Sequence, residues 1–260
     1  MFRFQQEIGP RTPNTEHRTH GSTENEMGTM NSDDRTEIRS QLRTMARELG
    51  AKAFGVADLD LLKKDTPDLL ALVPGEFCRA VVIGMRLQDS VVEGIVDRPT
   101  PLYFHNYRQT NYRLDRAAIE LADMIQNAGY AALAVPASQI VARDPMRGHV
   151  SHRRLGYAAG LGFIGRNCLL VSPKYGARMR YVSVLTDARL EPDGPIDGTC
   201  GSCRRCIDVC PAGAIGETSD EFDLDKCYRK LSEFTRLSFI GQHVCGVCVR
   251  ACSGGGNRGT

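Results

Sequence analysis

An α+β protein is what the sequence predicts, an α/β body followed by a small cysteine-rich module, and three observations predict it. Helical and strand-like periodicities alternate between residues 34 and 195. Eight of the ten cysteines fall after residue 199. Between the two regions, Pro192, Gly194, Pro195 and Gly198 read as a short linker. The expected units are a disordered tail over 1–33, the α/β domain over 34–195 and the cysteine module over 196–260.

The tail is expected because residues 1–33 are rich in Thr, Asn, Gly, Glu and Arg and have almost no apolar periodicity; Met27 and Met30 are alternative starts to Met1. From Asp34, Ile38, Leu42, Met45 and Leu49 recur at helical spacing, and Gly50 stands where a helix stops. Residues 51–57 and 78–85 read as strands, the second an apolar run, with a short helix expected at Leu69–Leu72 between them. Leu114, Ala118, Leu121, Ile125 and Ala128 line one face of a long helix ended by Gly129. Strands are expected at 130–135, 166–172 and 178–186, the last two joined by the turn Pro173-Lys-Tyr-Gly176. Cys78 and Cys168, in apolar surroundings, read as small core residues. Tyr103, Tyr107 and Tyr112 lead into the long helix, where they either line a pocket or simply pack.

Composition narrows the function classes. A formal net charge of +2 gives neither a nucleic-acid footprint nor an acidic tail. No run of about eighteen apolar residues occurs, and the polar start lacks the hydrophobic stretch of a signal peptide, so a soluble, cytoplasmic protein is expected.

The cysteines carry the chemistry. Cys200-Gly-Ser-Cys203-Arg-Arg-Cys206-Ile-Asp-Val-Cys210-Pro211 has the spacing of bacterial two-cluster ferredoxins, in which three thiolates hold one 4Fe-4S cube and the fourth reaches a second. By that crossover Cys200, Cys203, Cys206 and Cys252 form one ligand set, and Cys210, Cys227, Cys245 and Cys248 the other. Structural zinc sites separate their cysteine pairs more widely, and disulfides suit an exported chain. Arg204, Arg205, Lys226 and Arg250 stand beside ligands, either offsetting anionic clusters or as solvated surface.

The richest stretch upstream is Asp144-Pro-Met-Arg-Gly-His149-Val-Ser-His152, followed by glycines at 160, 162 and 165. The glycines permit close approach of backbone to a ligand, or of a helix end to the sheet; spacing leaves both open. They fit neither a phosphate loop nor a dinucleotide fingerprint.

Ala159-Gly-Leu-Gly-Phe-Ile-Gly-Arg-Asn167, the segment Leu169–Gly176, Leu185-Thr-Asp187 and the Cys200 run together resemble the epoxyqueuosine reductase family, over residues 36–252. The resemblance implies a nitroreductase-like α/β domain holding a corrinoid, cobalamin, supplied with electrons by a ferredoxin-like module with two 4Fe-4S clusters. It implies removal of the epoxide oxygen of epoxyqueuosine in tRNA, with a ferredoxin or flavodoxin as electron donor. Reductive dehalogenases share the two-part plan. On this resemblance Gly160, Gly162, Gly165, Arg166 and Asn167 face the corrinoid. The family's proton-donating Asp falls here at Met146, which makes Asp144, two residues earlier, the proposed catalytic acid, with His152 second. The family's helical-repeat extension, which helps hold tRNA, has no counterpart in the eight residues after Cys252, so tRNA stays open as a partner. Two functions are carried: a corrinoid-dependent reductase of this kind, and an electron-transfer protein that activates a separate corrinoid enzyme.

Overall fold

The computed structural model describes residues 32–66, 70–143 and 146–254. Nearly all of the expected tail, and Asp144, fall outside them. Helix α1 (Ser32–Glu48) turns Leu42 and Ala46 fully inward, and Gly50, at φ +99°, ends it in the left-handed conformation that glycine tolerates. Strand β1 (Ala53–Asp58) ends on a residue that caps the next element: Asp58 Oδ1 accepts from Asp60 N at 2.9 Å and Leu61 N at 3.1 Å, starting α2 (Leu59–Asp65). This corrects the short helix expected at Leu69–Leu72. Leu70–Leu72 form a turn, and Leu69 is not among the described residues.

Strand β2 (Arg79–Arg86) and α3 (Asp89–Glu93) lead to the long helix α4 (Pro101–Asn127). Thr100 caps α4 through Tyr103 N at 3.1 Å and Pro101 occupies its first turn, so the helix starts before the three tyrosines and carries them. Strand β3 (Ala132–Val135) follows, then the paired two-residue strands β4 (Ala142–Arg143) and β5 (Met146–Arg147). Helix α5 (His152–Ala158), capped by Ser151, precedes the hairpin of β6 (Phe163–Ile164) with β7 (Leu170–Val171). The expected strand over 166–172 is thus mostly a tight loop. Cys168 sits in it at φ +58°, its N–H donating to Gly165 O at 2.8 Å, so it is a turn residue rather than a core strand residue. Cys78, expected in the core, is half-buried just ahead of β2. Strand β8 (Met179–Thr186) and helices α6 (Arg205–Asp208), α7 (Leu224–Phe234) and α8 (Val247–Ala251) complete the chain.

Four strands form an antiparallel sheet in the order β1-β2-β8-β3. Period-two alternation along β2 and β8 divides their side chains between two cores. Val81, Ile83, Val182 and Val184 meet α1 and α4 through Leu42, Leu114, Leu121 and Ile125. Ala80, Val82, Tyr181 and Leu185 meet α5 through Leu155 and Ala158. Each fully buried Leu or Ile contributes about 1.5–3 kcal/mol relative to exposure. A third cluster joins Leu87, Val92, Ile95 and Tyr103 to Ile240, Val244 and Val247, which seats the cysteine segment on α3 and α4. Among the described residues no helix is long and apolar enough to cross a membrane.

The stretch that leads into the cysteine segment is fastened to the sheet edge. Asp193 N donates to Val56 O and Val56 N donates to Asp193 Oδ2, both at 2.8 Å, while Arg39 Nη2 reaches the two Asp193 carboxylate oxygens at 2.8 and 2.9 Å. Asp193→Ala leaves Val56 N–H and the Arg39 charge without that acceptor. The expected cost is about 1–3 kcal/mol, read as a lowered unfolding midpoint with faster proteolysis between 190 and 198; an unchanged midpoint would show that the edge contact carries no stability.

Candidate functional site

Four of the eight downstream thiols surround one space. A cavity of about 370 Å³ is lined by Cys200, Cys203, Cys206 and Cys252, with Asn167 and Arg205 beside them. Helix α6 carries Cys206 inward to 8% exposure, and Cys252 closes α8, where its carbonyl accepts from Ala177 N at 3.2 Å. Burial pushes the Cys206 thiol up to about 11, and the charges of Cys252, Cys200 and Cys203 add to the rise. Cys203 goes the other way, because the Arg205 guanidinium hydrogen-bonds it and favours the thiolate.

The remaining four form a second neighbourhood. Burial raises Cys248 well above the usual thiol range, followed by the charges of Cys245, Cys227 and Cys210. Cys245 is pushed up to about 11 by burial, with Cys227 and Cys210 adding to it, and Cys227 is raised by burial and then Cys210. Helix α7, capped where Asp223 Oδ1 accepts from Lys226 N at 2.9 Å, presents Cys227, and Ala214 N donates to Cys210 Sγ at 3.4 Å. Gly246, at φ +87°, turns the chain into α8 between Cys245 and Cys248. Among the described residues no three His, Cys, Asp or Glu side chains are gathered tightly enough for a single metal ion.

The first neighbourhood fits a cluster on an observation independent of its thiols. Asn167 is only 3% exposed, its Oδ1 accepts from Leu169 N at 3.3 Å, and its Nδ2 is buried with no hydrogen-bond partner. An amide donor in the wall of a four-thiol cavity suits the sulfur of an iron–sulfur group, which accepts such bonds.

The glycine element is closely packed on one side. A Cβ at Gly162 would stand 2.2 Å from Val171 O, one at Gly160 2.7 Å from Gly194 O, and one at Gly165 2.7 Å from Val171 Cγ2 and 3.5 Å from Cys200 Sγ. Gly160 and Gly162 bring backbone onto backbone, at Gly194 and at Val171, and Gly165 meets the Val171 side chain beside Cys200. Arg166 is committed as well: its Nε donates to Glu217 O at 2.6 Å, Nη1 to Cys203 O at 2.6 Å and Nη2 to Gly201 O at 2.9 Å. On their Cβ side Gly160, Gly162 and Gly165 meet the chain itself, the Arg166 guanidinium is taken up by three carbonyls, and Asn167 keeps one donor free. Of the basic residues beside ligands, Arg204 pairs with Glu217, Lys226 with Asp223 at 3.1 Å, and Arg250 lies 3.7 Å from Glu93.

A second cavity, of about 260 Å³, opens between α4, α5 and β8. Tyr103, in its wall, packs against Gly246 and feels the charges of Cys248 and Cys245, so this space adjoins the second thiol group. Tyr107 bonds Ser138 Oγ at 3.0 Å, and the Arg180 guanidinium lies 4.5 Å from its ring centre. Burial by itself would raise the Tyr107 phenol, but the Arg180 charge and hydrogen bonds with Ser138, Asn111 and Arg180 outweigh it and lower the pKa below the ordinary value. Tyr181, 7% exposed, lines the same space with a buried hydroxyl that has no partner.

His152 is held there in one role. Its Nε2 lies 2.8 Å from Pro136 O, a pure acceptor, so Nε2 carries the proton and Nδ1 accepts from Ser183 Oγ at 2.9 Å. Burial drives its pKa down to about 4. A neutral ring with its one proton bonded to a carbonyl orients its neighbours and is poorly placed to supply protons. Sequence reasoning missed Arg180 and Tyr181, although an arginine inside the apolar run of β8 was a visible signal.

No protein-family model matches the chain. The epoxyqueuosine reductase of Bacillus subtilis (strain 168) is 41% identical over 113 residues, covering 40% of this chain and 29% of that protein. The matched segment thus spans under a third of the curated relative. A solved epoxyqueuosine reductase with an epoxyqueuosine-modified tRNA-Tyr stem loop superposes with a TM-score of 0.52 at 20% identity, over 76% of this chain and 58% of that one. A reductive dehalogenase described for B12-dependent dehalogenation superposes with a TM-score of 0.62 at 22% identity, over 81% of this chain and 31% of that one. The mixed α/β architecture is theirs. Over the matched segment, and in its fold, the chain is similar to the epoxyqueuosine reductases and, in fold, to the reductive dehalogenases.

Proposed function

We propose that the chain is an iron–sulfur reductase of the epoxyqueuosine reductase type, with two 4Fe-4S clusters in a ferredoxin-like module over 196–260 and the α/β body over 34–195 as substrate domain. The observation that carries it is the division of eight thiols into two neighbourhoods, one around a cavity with an unpartnered amide donor and the other beside the tyrosine cavity. Cys200, Cys203, Cys206 and Cys252 would hold one cluster, and Cys210, Cys227, Cys245 and Cys248 the other; clusters of this type supply single electrons at low potential. Cobalamin as a further cofactor rests on the likeness to the B12-dependent dehalogenase, and epoxyqueuosine in tRNA as substrate on the match to the reductases. A ferredoxin or flavodoxin would be the electron donor.

Reductive removal of oxygen or halogen consumes protons, so a reductase needs an acid at the substrate. Among the described residues Tyr107 suits that task, with Arg180 stabilising the phenolate that remains. Asp144, outside them, stays the acid proposed from sequence. The tight packing of the glycine element favours a second reading, in which the chain hands electrons to a separate corrinoid enzyme.

Anaerobically reconstituted protein is expected to hold about eight irons and eight sulfides per chain; about four irons, or zinc in their place, would rule out the pair of clusters. Asn167→Leu, which keeps the side-chain size and removes the donor, is expected to retain both clusters and shift one midpoint to more negative potential in an EPR-monitored titration, since hydrogen bonds to sulfur help set cluster potentials. Unchanged midpoints would detach Asn167 from the cluster.

Tyr107→Phe is expected to keep both clusters and lose about 10²–10⁴-fold in turnover of an epoxyqueuosine-modified stem loop under strong reductant with cobalamin. An acid works while protonated, so wild-type turnover should fall as pH rises through the lowered Tyr107 pKa, and this alkaline limb should vanish in the variant. If wild type turns over no epoxide but reduces a separate corrinoid protein, and the Tyr107→Phe variant does so equally well, the electron-transfer reading stands instead.

A further inference from the structure

A third cavity, of about 600 Å³, lies across α5 from the tyrosine cavity, and the two share Ser151 and Arg153. Its wall gathers cationic and donor groups: Arg147, His149, Arg153 and Arg154, with Ser151 and Thr66. Among the described residues no carboxylate lines it. Arg153 donates through Nη1 to the carbonyl and sulfur of Cys168, and Arg154 donates through Nη1 to Thr66 Oγ1 at 3.0 Å. Neither guanidinium has a carboxylate partner among the described residues. His149 adds a buried Nδ1 with no hydrogen-bond partner.

The hydroxyls complete a set made for an acceptor. Thr66 Oγ1 accepts from Arg154 Nη1, and Ser151 Oγ accepts from Arg154 N at 3.3 Å. Each hydroxyl keeps its own proton for a further acceptor. Guanidinium groups recognise carboxylate and phosphate, and several in one concave site with like charge favour the more highly charged anion. Beside these donors the cavity has an apolar side, formed by Leu72, Val150, Phe222 and Leu224, of which Leu72 is 36% and Leu224 46% exposed. The volume lies within the range of about 300–1,000 Å³ usual for small-molecule sites.

We propose that this cavity binds a nucleotide-sized phosphate ester, its phosphate on Arg147, Arg153, Arg154, Ser151 and Thr66 and its ring against Phe222 and Leu224. None of the eight thiols of the two groups lines this cavity, and the proposal does not depend on the reductase reading. The occupant assigned is a free mononucleotide, and cobalamin, which carries a nucleotide tail that cobinamide lacks, is the competitor that tests the assignment.

The test is calorimetric titration of the full, cluster-loaded chain under anaerobic conditions, with AMP and UMP, their nucleosides and inorganic phosphate as probes. AMP or UMP is expected to bind at least about tenfold more tightly than its nucleoside, and to weaken as salt is raised. Arg154→Gln, an exposed position, is expected to weaken nucleotide binding by about tenfold, as loss of one charge-assisted bond does, with the cluster absorbance unchanged; Arg147→Gln is the second variant, should the first perturb α5. Competition tests the occupant. AMP that displaces neither cobalamin nor cobinamide is the expected result, and AMP that displaces either one would overturn the assignment to a free nucleotide. Equal binding of nucleotides and nucleosides of the same base, no binding of any phosphate probe at millimolar concentration, or full affinity in both variants would overturn the proposal. So would a short RNA that binds while neither mononucleotide competes with it.

Discussion

The structure depends on gathering thiols into small spaces against their mutual repulsion. Burial and neighbouring sulfur charge both act against thiolate formation at Cys206, Cys245 and Cys248, so the protein must hold these residues together by other means. The means differ between the two neighbourhoods. Around Cys206 the holding is polar: Arg166 ties the carbonyls of Gly201, Cys203 and Glu217 together, and Arg205 favours the Cys203 thiolate. Around Cys248 it is apolar, since Ile240, Val244 and Val247 sink into the cluster built by Leu87, Ile95 and Tyr103. One group is therefore fixed by directional bonds and the other by packing, which has no charge for salt to screen.

The α/β body serves this arrangement. The two central strands are buried on both faces, so β2 and β8 form a rigid support, and the residues that matter lie at its margins. Arg180 and Tyr181 sit near the start of β8, Ser183 fixes His152 from within the sheet, and the β6–β7 hairpin carries Gly165 to Cys200. Tyr103 links the parts, being at once the first-turn residue capped by Thr100, a member of the apolar cluster and the neighbour of Gly246.

Much of this is legible in the residue pattern alone. The helix over 32–48 and the second half of the helix over 101–127, from Leu114 on, announce themselves by apolar spacing and by glycines that stop them, and the strand 79–86 by its continuous apolar run. Such signals are local, and packing agrees with them. The failures are equally physical. The helix expected at Leu69–Leu72 forms instead at Leu59–Asp65, because an aspartate ending a strand is also a helix cap, and apolar residues say nothing of capping. The strand over 166–172 is broken because Cys168 adopts a positive φ, which no side chain advertises. At the site, spacing along the chain proposes a grouping of cysteines, but it does not tell a glycine that admits a ligand from one that admits a neighbouring strand. Asn167 and Arg166, read as cofactor contacts, have roles fixed by partners 35 or more residues away for the arginine and by an unfilled donor for the asparagine.

The two thiol neighbourhoods are nested along the chain. Every member of the second, from Cys210 to Cys248, lies between Cys206 and Cys252 of the first. The inner set closes loops wholly contained within the loop closed by the outer one. Once Cys210, Cys227, Cys245 and Cys248 are together, much of the chain entropy opposing the approach of Cys252 to Cys206 has already been lost, because the effective length of the outer loop is shortened. Connectivity thus couples the two sets, since closing either one lowers the entropy cost of closing the other.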